Sequence, residues 1–262
     1  MSVYPTPFSD VNSLLDELLS GVKNILEDNF AGLYLYGSLA SGDFNLETSD
    51  VDFVVVTRDE ISSETISALK TMHERLAKSE LKLVKKLEGS FIPQSDLRRY
   101  NQSDAEYPTI NEGKFYLGRH GSDWIIQRHI LREHGVTIAG LPLRDLIDTV
   151  EPNDLRQAVI GILNEWWSPM LDNPAWVRSE EYQAFAVLTM CRALFTIENG
   201  TIASKPASAR WARQTLGKRW SDLIEKASAW RHGEQLDKLD DTLDFIRYTV
   251  DAANNSAGDN LK

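Results

Sequence analysis

The sequence predicts an α/β (α+β) chain in two parts, a mixed N-terminal domain over residues 1–152 and an all-helical bundle over 153–262. Three observations predict it. β-Branched and apolar runs of strand length alternate with amphipathic stretches up to about residue 140. Gly135, Gly140, Pro142 and Pro152 then punctuate the chain. Beyond Pro152 every apolar pattern has helical spacing.

Taken in order, residues 11–30 place Leu14, Leu15, Leu18, Leu19, Val22 and Leu26 on one face of an opening helix, with Asp10 as its expected N-cap. Residues 32–36 read as a short strand ended by Gly37 and Ser38, and a turn-rich loop through Ser41 and Gly42 follows. VDFVVVT, residues 51–57, is a β-branched run suited to a buried strand. A helix over 63–78 and a strand over 81–88 come next, then a helix over 122–133. In the second part helices are expected over 153–167, 181–198, 205–216, 220–230 and 235–253. Asn199-Gly200 and His232-Gly233 act as stops, and the polar tail NNSAGDNLK is expected to fray.

Composition narrows the chemistry. Among 262 residues, 28 Lys and Arg face 39 Asp and Glu, a formal net charge of −11 that disfavours nucleic acid and anionic membrane surfaces and favours cationic partners. The single cysteine, Cys191, forms no internal disulfide and no cysteine-based zinc site, which fits a reducing compartment. No apolar run reaches the length of a membrane span, and MSVYPTPFSD has no basic or apolar leader region, so the expectation is a cytoplasmic protein with no membrane partner. No leftover hydrophobic stripe advertises a second subunit, and a monomer is expected.

The chemical signal lies in LYLYGSLASGDFNLETSDVDFVVVT, residues 33–57. Residues two apart on a strand share a face, so Asp50 and Asp52 aim two carboxylates one way while Val51, Phe53 and Val55 point the other. Paired hard oxygens suit Mg²⁺ whose remaining positions are filled by phosphate oxygens. Gly37 allows close backbone approach at a strand end, and the Ser38 hydroxyl with neighbouring N–H groups suits terminal phosphates. The chain carries neither G-x-x-x-x-G-K-[ST] nor a strand-linked G-x-G-x-x-G, which closes the two commonest phosphate-loop routes. Arg192 is the only charged residue in YQAFAVLTMCRALFTI, residues 182–197, and a guanidinium in such surroundings calls for an anion. His120, His129 and His134 lack helical metal-pair spacing and read as structural.

The Gly37-Ser38 turn followed by Asp50-x-Asp52 resembles the polymerase-β-like nucleotidyltransferase superfamily, which implies that a third carboxylate joins from a later strand; Glu88 matches it, as metal ligand, as general base or as both. VLTMCRALFTIENGTIASKPASARWA, in the second half, is similar to the adenylyltransferases that modify streptomycin and spectinomycin. The similarity covers nearly the whole chain. It implies ATP as co-substrate with Mg²⁺, and Ser38, Ser49, Arg192 and Lys205 on the phosphates. It also implies an acceptor contact at Trp124, a Trp-containing turn at Trp166-Trp167-Ser168-Pro169, and acidic acceptor contacts whose best matches are Glu180 and Glu181, offset from the family position. The activity implied is AMP transfer to a hydroxyl of a cationic aminoglycoside-type antibiotic, with release of pyrophosphate. Its rivals are another acceptor, such as a lincosamide-like molecule or a protein side chain, and a non-catalytic, antitoxin-like module.

Local charge agrees with such a division. Residues 192–231 carry eight basic against three acidic residues, and residues 151–181 carry six acidic against two basic. The first run suits polyphosphate and the second a polycation.

Overall fold

The computed structural model describes residues 5–101, 103, 105–231 and 234–259. The chain divides into two compact units, one running to Thr149 and the other starting at Val150. The first is a mixed α/β layer structure and the second is helical, the fold class expected from the sequence.

In the first unit, α1 (Ser9–Leu26) leads through a 3₁₀ turn, Glu27–Asn29, into β1 (Phe30–Leu35). A short helix α2 (Gly37–Ser41) stands where only a turn-rich loop was expected, followed by β2 (Val51–Thr57), α3 (Ser63–Ala77), β3 (Leu87–Pro93) and α4 (Gln94–Arg98). A hairpin of β4 (Glu106–Asn111) and β5 (Lys114–Arg119), then α5 (Asp123–His134), β6 (Val136–Gly140) and α6 (Leu143–Leu146), complete the unit. The strands form one six-stranded sheet in the order β5-β4-β3-β2-β1-β6. Only β2 and β3 pair in parallel; the other neighbours are antiparallel.

Strand alternation sorts the core into two layers. Leu33, Leu35, Val51, Phe53, Val55, Leu87 and Phe91 pack with Leu14, Leu18 and Val22 of α1 and Leu69 of α3. Tyr34, Tyr36, Val54, Val56 and Ile92 face the other way, toward Leu97, Trp124, Leu131 and Leu146. Each such side chain, fully buried, contributes about 1.5–3 kcal/mol of transfer free energy. A one-residue slip of β2 would turn Asp52 into the first layer and is therefore forbidden.

Several expectations are corrected. The N-cap of α1 is Phe8, not Asp10, which lies inside the first turn and pairs with Lys82 at 3.1 Å. The strand expected over 81–88 begins only at Leu87. Leu83 takes the left-handed conformation (φ 68°) and Val84–Lys86 form a 3₁₀ turn, so Leu81, Leu83 and Val84 reach the α1/α3 layer from a bend rather than from a strand. The β4–β5 hairpin and β6 went unread. Exposed positions and Pro108 blur the alternation in the hairpin, while Glu112 and Gly113, both at positive φ, make its two-residue turn.

In the second unit, α7 (Pro152–Ile162) passes into a π-helical turn, Leu163–Trp167, and α8 (Pro169–Asp172). The helix expected over 153–167 is α7 continued by this π-helical turn, and α8 follows beyond it with Pro169, which has no N–H to donate, at its first position. The central helix α9 (Glu180–Asn199) packs on α7, α10 (Lys205–Thr215), α11 (Lys218–Ala229) and α12 (Leu239–Asp259). Ser179 caps α9 by accepting the Tyr182 N–H at 3.3 Å, and Gly200 ends it at φ 65°. A side chain at Gly200 would strike the Arg156 guanidinium, whose Nε donates to the Ile197 carbonyl at 2.8 Å. α12 starts at Leu239 rather than near 235, and residues 254–259 are helical rather than frayed. The His232-Gly233 stop lies outside the described residues. No described helix is long and apolar enough to cross a membrane.

Candidate active site

The site grows from the β1–α2 junction. Tyr36 extends the β1–β2 ladder by donating its N–H to the Asp52 carbonyl at 3.1 Å. Gly37 then turns the chain into α2 at φ 62°, a conformation open to glycine at little cost. The Asp52 carboxylate fills the space a side chain would need: a Cβ on Gly37 would sit 1.9 Å from Asp52 Oδ2. The glycine of the Gly37-Ser38 turn is thus required twice, by φ and by the carboxylate pressed against it.

β3 supplies the second acid. Its parallel register with β2 runs unbroken from Val51↔Leu87 to Thr57↔Pro93 and sets Glu88 directly beside Asp52. Both are half-buried, on the sheet face shared with Tyr36. Asp50 precedes β2 on the exposed end of the loop, next to half-buried Ser49. That loop is fastened at both ends. The Ser49 hydroxyl accepts the Asn45 N–H at 3.0 Å, and Lys86 Nζ donates to the carbonyls of Leu46 and Glu47 at 3.0 and 2.5 Å. Ser38, in the first turn of α2, is half-buried.

Sequence reasoning missed two members of this neighbourhood. Tyr36, 7% exposed, has its phenol pKa pushed well above the ordinary value, first by burial and then by the carboxylates of Asp52, Glu88 and Asp123. Asp123 opens α5, which packs on α2. Crowding by neighbouring atoms raises its carboxyl pKa, against its own backbone N–H, the Arg128 guanidinium and the N–H groups of Trp124 and Gly121, which lower it. The one available signal was position: Tyr36 directly precedes Gly37-Ser38, and Asp123 directly precedes Trp124.

Among the described residues no three His, Cys, Asp or Glu side chains form a ready-made metal cluster. The donors fit a different division. Mg²⁺ is usually held by one or two carboxylates, with substrate phosphates and water completing its octahedron. Asp50 and Asp52 are donors of that kind, with Glu88 directly beside Asp52.

Trp124 is 8% exposed and lies in the core layer, stacked on His120 with ring centroids 3.6 Å apart and planes 12° from parallel. His120 also stacks on Tyr107 at 4.2 Å, and its Nε2 lies 3.0 Å from Ser90 Oγ. Burial, aided by the Arg128 charge, lowers the His120 pKa to about 3. The unfolded chain protonates near 6.5, so below that pH it binds a proton that the folded chain refuses until about pH 3. His120 therefore leaves stability untouched above pH 6.5 and subtracts about 1.4 kcal/mol for each unit the pH falls below it. In urea unfolding between pH 7 and 4, His120→Gln is expected to show a shallower loss of stability, by nearly one bound proton; an unchanged slope would contradict the assignment.

In the second unit Arg192 is half-buried on α9, and Lys205 opens α10 with its Nζ 5.1 Å from the Phe185 ring centroid. Glu180 and Glu181 lie in the first turn of α9, where carboxylates also favour the helix dipole. Trp166, 54% exposed, donates its Nε1 proton to the Tyr182 hydroxyl at 3.2 Å. Trp176, 66% exposed, and Phe185 join it around Tyr182, an open aromatic group that only Trp166 announced in the sequence. The basic run over 192–231 is partly spent internally: Arg213 pairs with Glu225 and Lys226 with Asp222.

The comparisons with known proteins divide the chain in the same way. The family model of a nucleotidyltransferase domain matches residues 18–110, and the model of the aminoglycoside adenylyltransferase C-terminal domain matches residues 145–256. The chain is thus similar to the aminoglycoside adenylyltransferases in its second half and to nucleotidyltransferase domains in its first. It is 25% identical over 254 residues to an aminoglycoside (3'') (9) adenylyltransferase of Escherichia coli, covering 92% of this chain and 94% of that one. It is equally identical, over 258 residues and 92% of both chains, to a spectinomycin 9-adenylyltransferase of Staphylococcus aureus. A spectinomycin adenyltransferase, AAD(9), from Enterococcus faecialis, solved with ATP and spectinomycin, shares the fold of this chain. The TM-score is 0.70 at 18% identity, covering 91% of this chain and 98% of the other.

Proposed function

We propose that the protein transfers AMP from ATP to a hydroxyl group of an aminoglycoside-type antibiotic, streptomycin or spectinomycin, and releases pyrophosphate. The observation that carries this reading is the facing of Asp52 and Glu88 across β2 and β3, with Asp52 lodged against Gly37 at the head of α2. A bare scaffold gains nothing from two carboxylates held side by side, since like charges at that spacing destabilise the fold.

In this reading Asp50 and Asp52 hold Mg²⁺ when the triphosphate is bound, and the ion supplies neutralisation of phosphate charge. Ser38, Ser49 and the backbone at Gly37 bind phosphate oxygens on the first unit, and Arg192 and Lys205 are the phosphate ligands of the second. Glu88 accepts the proton of the acceptor hydroxyl. That oxygen forms a bond to the α-phosphorus as the bond to the bridging oxygen breaks, and the electron pair leaves on pyrophosphate. Trp166, Glu180 and Glu181 contact the cationic acceptor, with the exposed edge of Trp124.

Purified protein with ATP and MgCl₂ is expected to release pyrophosphate when streptomycin or spectinomycin is added, and the drug to gain one AMP by mass spectrometry. Release with lincomycin alone would move the reading to another acceptor. Silence across the whole panel, with ATP still bound, would leave a binding module.

A further inference from the structure

Asp123 is a carboxylate without an assigned task. It stands in the first turn of α5, and α5 packs on α2, the helix headed by Gly37. The buried Tyr36 phenol is within electrostatic reach of Asp123, Asp52 and Glu88 together, which sets Asp123 on the Asp52–Glu88 side of the sheet. Its side chain retains contact with solvent.

The nearest cation named against it, Arg128, is committed elsewhere. Arg128 is 3% exposed, and its guanidinium donates to the carbonyls of Leu97 at 2.9 Å, of Trp124 at 3.1 Å and of Asp96. Among the described residues Asp123 forms no salt bridge. The backbone N–H groups of Asp123, Trp124 and Gly121 hold the carboxylate at the start of α5 and are neutral donors that leave its charge in place.

We propose that Asp123 is an acceptor-binding residue, whose carboxylate takes a protonated amine of the molecule that presents its hydroxyl to Glu88. The inference rests on the function proposed above. An ammonium donates directional, charge-assisted hydrogen bonds and needs only one carboxylate at a solvent-reachable edge. Asp123 would give the first unit its own acidic contact with the acceptor, in a chain whose Glu180 and Glu181 are offset from the family position.

The test separates this role from support of α5. Asp123→Asn keeps the side-chain acceptor oxygen and the size, and loses only the charge. By calorimetry its affinity for spectinomycin or streptomycin, whichever the wild-type protein modifies, is expected to fall at least ~10-fold, the scale of a hydrogen bond to a charged group. The ATP affinity and kcat at saturating drug are expected to stay the same, and Asp123→Glu to recover part of the loss. Equal drug affinity in wild type and Asp123→Asn would overturn the inference while leaving the adenylyltransferase reading intact. So would a parallel fall in ATP affinity or thermal stability, which marks a structural role. A wild-type protein that takes up neither drug would sink both readings together.

Discussion

Replacing Asp52 by Asn is expected to lower kcat/KM for AMP transfer by at least ~10³-fold, the upper range for removing one preorganised electrostatic group from an active site. The amide matches the carboxylate in shape, so it still fits against Gly37, where a Cβ would lie 1.9 Å from Oδ2. The change removes the charge. Asp52, Glu88 and Asp123 all act on one buried phenol, that of Tyr36. Thermal unfolding should show a midpoint no lower than wild type by more than ~3 °C, about 1 kcal/mol for a chain of this size. A fall in activity matched by collapse of the fold would return Asp52 to a packing role. Near-normal transfer would remove the metal-and-phosphate assignment altogether.

That contrast between chemistry and packing also explains which parts of the molecule were legible in the sequence. β2 was read residue for residue, since VDFVVVT is buried on both faces and bounded by polar loops. α9 and α10 were placed within a residue or so because Ser179, Gly200 and Ser204 mark their ends through local hydrogen bonding. β3 was misread for an equally local reason. The alternation in LKLVKKL is real, but Leu83 turns left-handed and spends the pattern on a bend, which moves Glu88 from the expected end of a strand to the second position of the next. The correction strengthens the site, because it is this shift that sets Glu88 opposite Asp52. Tyr36 and Asp123 were silent because nothing in their own segments reveals that α2 packs on α5. Their proximity exists only once the sheet is built. Trp124 shows the opposite limit: motif similarity marked it as an acceptor contact, and the fold buries it in the core layer, stacked on His120.

Glu88→Gln is expected to leave ATP uptake by calorimetry unchanged while kcat falls by about 10²- to 10⁴-fold, the range for a general base. The argument begins with position. Gly89 lies so close to Phe53 that a Cβ there would come within 2.3 Å of the Phe53 carbonyl, so β3 is held tightly against β2 and the Glu88 side chain departs from a fixed point. A glutamine in that place keeps the length and the hydrogen-bonding oxygen but cannot take a proton from the acceptor hydroxyl. The pH profile distinguishes this from any other cause of slow turnover. The wild-type rate should decline on the acidic side as the base is protonated, and the residual rate of the glutamine variant should lose that limb. If ATP and Mg²⁺ affinity fall instead, with the acidic limb retained, then Glu88 holds the metal with Asp52 and the proton leaves by another route.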